Sequence, residues 1–200
     1  MNKITLPNVL LCVLLFLQGF IYAQPQTDYH IPDSFNTAKN ELYLTAEEKE
    51  VIRYINYVRV NPQQFLKQYL NANRADTTNS YVKSLQVQLQ HLKPLALVYP
   101  NRKLYRIAKS WALQAGKLNV TGHQGFSKRA RKFSKIKPFS ECCSYGLNTG
   151  LEIVLQLLID DGVKNLGHRK CLLSHHTLVG VCIKKHKGYV YNAVLDFSDN

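Results

Sequence analysis
The chain has 200 residues, 46% of them hydrophobic, which is enough for one domain with a real core. Lys and Arg number 26 against 13 Asp and Glu, a formal net charge of +13, so anionic partners are favoured over cationic ones. Internal repeats, low-complexity tracts and a second long apolar run are absent from the sequence, which excludes solenoids, fibrous chains and multi-pass membrane proteins.

Residues 1–23 read as a secretory signal peptide. Lys3 gives a positive start, Val9 to Phe16 is an unbroken apolar run, and Ala23 is a plausible cleavage site before Gln24 and Pro25. That run is short for a spanning helix, which needs about 20 residues. The expected product is secreted or otherwise extracytoplasmic. Export disfavours intracellular nucleic acid as a target. Cleavage removes Lys3 and Cys12 and leaves Cys142, Cys143, Cys171 and Cys182. An even number of cysteines in an exported chain suggests disulfides, with three formal pairings. Cys171 with Cys182 is the first expectation, since both flank the turn into a terminal hairpin. Adjacent Cys142 and Cys143 would point to opposite faces of a strand, and buried free thiols are the alternative.

Residues 24–44 are polar, with Pro25 and Pro32, and read as a linker or N-terminal arm ahead of a domain over 45–200. Thr45-Ala46-Glu47-Glu48 is a capping box, and Val51, Ile52, Ile55 and Val58 follow at helical spacing. Asn61-Pro62 restarts the chain as a second helix. Residues 81–92 and 101–119 read as a third and a fourth, the latter with Leu104, Ile107, Ala108, Trp111, Ala112 and Ala115 on one side. Residues 121–138 lack periodicity and carry much charge. Phe139 to Tyr145 reads as a short strand, Thr149 to Ile159 as a helix, and Leu172 to Ser174 as a helical turn. Residues 178–185 and 189–197 form a β-hairpin signal around His186-Lys187-Gly188. Helices followed by a terminal hairpin predict an α+β fold, with helices packed on a small antiparallel sheet.

Three fragments carry most of the chemistry: Gly122-His123, then Glu141 within Ser140 to Gly146, then Asp160-Asp161-Gly162 leading to Gly167-His168-Arg169. Two histidines and several acids, each beside a glycine or at an element end, suit a polar cleft. Such a cleft could hold Zn²⁺ or another divalent cation, perform acid/base chemistry or bind a polar ligand. A hydrogen-bonded polar cluster is the plainer alternative, because neither Cys-x-x-Cys nor His-Glu-x-x-His spacing occurs to fix a tight site. His168-x-x-Cys171, near His175 and His176, has ligand-like spacing without converging partners. A serine nucleophile is not singled out: Ser144 is nearest in sequence and lacks a Gly-x-Ser-x-Gly elbow. Lys128, Arg129, Arg131, Lys132, Lys135 and Lys137 crowd one stretch, with Phe133 and Ile136 among them. This reads either as a solvated loop or as an attachment site for anionic lipid or acidic glycan. Asn119-Val120-Thr121 is a glycosylation sequon.

The order of these segments resembles the CAP superfamily: the cysteine-rich secretory, antigen 5 and pathogenesis-related proteins, also called SCP-like. Asn56-Tyr57-Val58-Arg59 with Asn61-Pro62 resembles the family's opening helix. Gly122-His123 resembles its first cavity histidine, Ser140 to Gly146 the Gly-Glu-Asn segment of bacterial members, and Gly167-His168-Arg169 their Gly-His-Arg. The resemblance implies a three-layer α-β-α sandwich and a cavity holding His123, Glu141, His168 and a fourth acid. Asp160 takes that place if Leu157 stands for the family's tryptophan, with Asp161 as the close alternative. Cys142 stands where the family has Asn, and an Asp replaces a Glu. The implied roles are a ligand-binding or interaction module with a weakly bound divalent metal, a metal-dependent hydrolase using the same four residues, or a lipid or sterol carrier.

Overall fold
The computed structural model describes residues 31–71, 76, 78–131 and 139–199. The expected signal peptide, the start of the arm, and Lys132, Lys135 and Lys137 lie outside the described residues.

The helices follow from their caps and stripes. Helix α1 (Ala46–Val60) begins at the expected capping box: Thr45 Oγ1 accepts from the Glu48 amide, and Glu48 Oε2 accepts from the Thr45 amide. It buries Val51, Ile52, Ile55 and Val58. Helix α2 (Pro62–Tyr69) opens on proline, and α3 (Ser80–His91) is capped by Asn79. Helix α4 (Arg102–Leu118) is capped by Asn101 and buries the Leu104–Trp111–Ala115 stripe. A short helix α5 (Phe126–Arg131) interrupts the stretch that lacked periodicity, and α6 (Gly150–Ile159) and α7 (Gly167–Leu172) complete the set.

Four strands form one sheet: β1 (Tyr99–Pro100), β2 (Phe139–Tyr145), β3 (Leu178–His186) and β4 (Val190–Ser198), in the order β1-β3-β4-β2. The hairpin β3–β4 and the pair β2–β4 are antiparallel. The sheet departs from the expected purely antiparallel form, because β1 pairs parallel to β3. Two residues ending in proline carry no period a sequence reading can detect.

Helix α4 covers one face. Its backbone comes so close that a Cβ on Gly180 would lie 2.1 Å from the Tyr105 amide, and one on Gly116 would lie 2.1 Å from the Lys185 carbonyl. Asn192 on β4 donates to the Ala112 carbonyl on that helix. On the other face, Ser144 bonds Gln156 of α6, and Cys142 and Ser140 meet the backbone and Cys171 of α7. Helix on sheet on helix gives an α+β three-layer sandwich. The strand alternation of β2 sends Ser140, Cys142 and Ser144 to the α6/α7 face, and Glu141 and Cys143 to the α4 face.

Two expectations need correction. Residues 31–44 do not behave as a loose arm. Ile31, Phe35, Ala38 and Leu44 are buried, and Asn56 donates to the Phe35 carbonyl and accepts from the Val98 amide. The aliphatic residues are spaced irregularly around a 3-10 turn at Asp33–Phe35, so no period announces them. Nor do Cys171 and Cys182 pair: all four described cysteines are free thiols. Cys171 faces Ser140 and Cys142, whereas Cys182 faces Tyr105 of α4 across the sheet. Burial pushes the Cys143 and Cys182 thiols up to about 12. Among the described residues, no helix is long and apolar enough to cross a membrane.

Candidate metal centre
His123 sits in the turn after α4, where Gly122 adopts φ +83°, a conformation that favours glycine. The Gly122 carbonyl accepts from Trp111 Nε1 at 2.9 Å, and its amide donates to the Tyr145 hydroxyl at 2.8 Å. The Gly-His pair is thus pinned between α4 and β2. His123 Nδ1 lies 2.9 Å from Glu141 Oε1.

Glu141 is almost wholly buried, and Arg129 Nη2 donates to both its oxygens at 2.8 Å. The Arg129 guanidinium stacks 4.4 Å over the Trp111 ring and also donates to the Gln124 carbonyl. This arginine, read from the sequence as a surface cation, instead neutralises a buried carboxylate. Lys128 and Arg131 are exposed, as a surface role requires.

The second half is built on a helix end. Asp160 caps α6 in the left-handed conformation, with φ 57°, which Asp tolerates better than most residues. Its Oδ2 accepts from the His168 amide at 3.0 Å and the Arg169 amide at 3.3 Å, and its Oδ1 lies 2.7 Å from His168 Nδ1. Asp160, rather than Asp161, is the acid that faces His168. Asp161 turns away and accepts from Asn79 at 2.8 Å. Arg169 is structural, donating to the Leu158, Tyr81 and Ile159 carbonyls.

The two halves meet. The His123 and His168 rings have centroids 6.2 Å apart, tilted by 37°. Each ring commits Nδ1 to a buried carboxylate and keeps Nε2 as its lone-pair donor, the arrangement that orients metal-ligating histidines. Zn–N bonds of about 2.0–2.1 Å place each ring centroid about 3.2 Å from an ion, so two rings on a tetrahedral ion stand about 5.2 Å apart. The observed 6.2 Å is about 1 Å wider, so the rings must close by that much on a tetrahedral ion.

A second donor set overlaps the first. One ligand atom from each of His123, Glu141 and Cys143 lies within 4.8 Å of the others, a group that could hold a metal. Two facts oppose it. Arg129 occupies both Glu141 oxygens, and the Cys143 thiol, pushed up by burial and by the charge of Glu141, resists ionisation. That leaves the two Nε2 atoms as the candidate donors.

His168 and Asp160 line a cleft of about 630 Å³, whose walls include Leu70, Val82, Leu155 and Tyr189. Beneath Glu141, and paired with it across strands, lies Asp196, which is fully buried. Burial and the Glu141 charge push its carboxyl well above the usual range. The structure brings the candidate residues together as two pairs, His123 with Glu141 and His168 with Asp160, and adds Arg129, Trp111 and Asp196, which sequence reasoning did not connect to them. Those three carry no local signature, since one stood in a charge run, one in an ordinary apolar stripe and one in a hairpin strand.

Three solved structures are similar to this chain. An outer surface protein from Borrelia burgdorferi is 17% identical, with a TM-score of 0.46, over 60% of this chain and 89% of that one. An extracellular protein containing a SCP domain from Bacillus anthracis str. Ames is 16% identical, with a TM-score of 0.44, over 60% of this chain and 39% of that one. A cysteine-rich secretory protein from Staphylococcus aureus subsp. aureus Mu50 is 17% identical, with a TM-score of 0.41, over 65% of this chain and 44% of that one. This chain therefore spans less than half the length of the last two. No family model and no curated protein sequence matches it.

Proposed function
We propose that the chain is an exported CAP-type domain, a ligand-binding module whose cleft holds a divalent cation between His123 and His168. The observation that carries this reading is the pair of buried carboxylates, each fixing one imidazole through Nδ1, with the rings 6.2 Å apart. Imidazole nitrogens in a site with open positions suit Zn²⁺. The cleft beside them falls within the size range of small-ligand sites, about 300–1,000 Å³. Its leucine and valine walls suit the apolar body of a ligand whose polar end meets His168.

A metal-dependent hydrolase is the weaker reading. It needs a carboxylate to take a proton from a metal-bound water, and Glu141 already gives both oxygens to Arg129. The basic helix α5 supports a further role at anionic lipid or acidic glycan through Lys128 and Arg131, with Lys132, Lys135 and Lys137 following in sequence. Zinc titration of the purified chain, with turnover assayed on peptide and ester substrates, separates module from hydrolase. Zinc binding without zinc-dependent turnover supports the module, and zinc-dependent cleavage supports the enzyme.

A further inference from the structure
On the side of β2 opposite Glu141, three residues form a second polar centre. Ser140 Oγ lies 2.6 Å from His176 Nε2, and His176 Nδ1 lies 2.9 Å from Asp199 Oδ1. They come from the start of β2, the loop between α7 and β3, and the residue after β4. His176 is 5% exposed and stacks on Phe197 with centroids 6.1 Å apart. Arg59 Nη2 donates to the His176 carbonyl at 2.9 Å, and the His176 amide donates to Ser174 Oγ. Ser140, Asp199 and Phe197 thus meet the imidazole, and Arg59 and Ser174 hold its backbone.

The polarity of this chain of bonds is fixed by its last member. A carboxylate only accepts, so Nδ1 keeps its proton and donates to Asp199, which leaves the Nε2 lone pair facing the Ser140 hydroxyl. The hydroxyl then donates to Nε2, which is what an activated serine requires. Such constellations are recognised by geometry and roles, not by sequence order. An oxyanion donor is also at hand. The Gly146 amide bonds the Tyr191 carbonyl, so in this antiparallel ladder Ser140, Cys142 and Ser144 direct their backbone groups at β4. The amide of Glu141, one residue past the nucleophile, is directed away from β4, on the side where β2 has no partner strand among the described residues.

We propose that Ser140, His176 and Asp199 form a serine-nucleophile centre that hydrolyses small esters, independently of the metal cleft. Ser140 Oγ bonds to the ester carbonyl carbon and its proton moves to His176 Nε2. The carbonyl–alkoxy bond breaks, and the departing alcohol takes that proton. Water then attacks the acyl-serine with His176 accepting its proton, the acid leaves, and Ser140 regains its hydrogen. Ser140 is only partly exposed, so the probe carries a short acyl group, acetyl. Asp199 is a positioning residue that acts through the imidazole.

The test treats the full chain, in excess EDTA, with a biotinylated fluorophosphonate and separately with p-nitrophenyl acetate. The expected result is one covalent adduct, mapped to Ser140 by peptide mass, and ester turnover that Ser140→Ala abolishes. Asp199→Asn should lower kcat by about 10⁴-fold, because an amide holds the wrong imidazole tautomer, while KM stays within about threefold. Wild-type protein that is folded by circular dichroism yet unlabelled would overturn the proposal. So would an adduct on another residue, label that EDTA prevents, or wild-type kcat in Asp199→Asn.

Discussion
Asp160→Asn isolates the contribution of one carboxylate to the metal centre. The substitution keeps the side-chain shape, and asparagine accepts the left-handed backbone at φ 57° as readily as aspartate, so α6 should keep its cap. What changes is the proton inventory. Asp160 Oδ2 accepts two backbone amides, from His168 and Arg169, and Oδ1 faces His168 Nδ1. An amide has one accepting oxygen, which the two backbone donors claim. Its NH₂ then faces Nδ1, forces that nitrogen to accept, and moves the ring proton to Nε2. The lone pair needed for the metal is lost from the favoured tautomer. Loss of such a supporting carboxylate costs 10- to 100-fold in metal affinity, about 1.4–2.7 kcal/mol. Isothermal titration of Zn²⁺ into wild type and Asp160→Asn reads this directly. Equal affinities, with both proteins melting at the same temperature, would refute the claim that Asp160 orients His168 for a metal.

Arg59→Met removes donors to the Ala96, Leu172, Ser174 and His176 carbonyls and should destabilise the fold by about 3–5 kcal/mol in urea titration, since buried acceptors are left unpaired. A loss below about 1 kcal/mol would mean that water replaces the guanidinium. Asp196 binds its proton more tightly in the folded than in the unfolded protein. Its contribution is therefore fully present below the ordinary carboxylate range, about pH 3.9, and stability falls as pH rises above it. Asp196→Asn should accordingly gain stability over wild type between about pH 4.5 and 7.5, by about the cost wild type bears for that carboxyl; a gap that shrinks with pH would contradict this. Replacing exposed Lys128 and Arg131 with Ser should weaken binding to anionic vesicles by at most about 1 kcal/mol per cation, fading with salt. Co-sedimentation that is unchanged in the variant would retire the surface role.

The helical stripes were legible because each repeats a period over several residues, and the capping box and the hairpin because residue types mark a cap and a turn. The two histidines and Glu141 were legible because motif order marks them. The acid beside His168 was narrowed only to a pair. Asp160 and Asp161 are neighbours in sequence, and only the left-handed turn at the end of α6 decides which of them faces back. The hairpin-turn histidine shows the converse error. His186 reads as the first residue of the hairpin turn, yet it ends β3 and is buried, and its Nδ1 accepts from the Gly188 and Tyr189 amides. Arg129 was hidden because a charge run carries no information about which member turns inward. Ser140, His176 and Asp199 were hidden because their partnership exists only once three distant segments share a sheet end.

Zinc titration into wild type, His123→Ala and His168→Ala, with His91→Ala as an exposed histidine control on α3, tests the metal centre most directly. The account predicts one site in wild type and in His91→Ala, and loss of binding in both cavity variants. Affinity should decline as the solution is acidified through the ordinary imidazole range, about pH 6.5, because ligating nitrogens must be unprotonated. Zinc retained at wild-type affinity in both His123→Ala and His168→Ala, or absent from folded wild type, would contradict it.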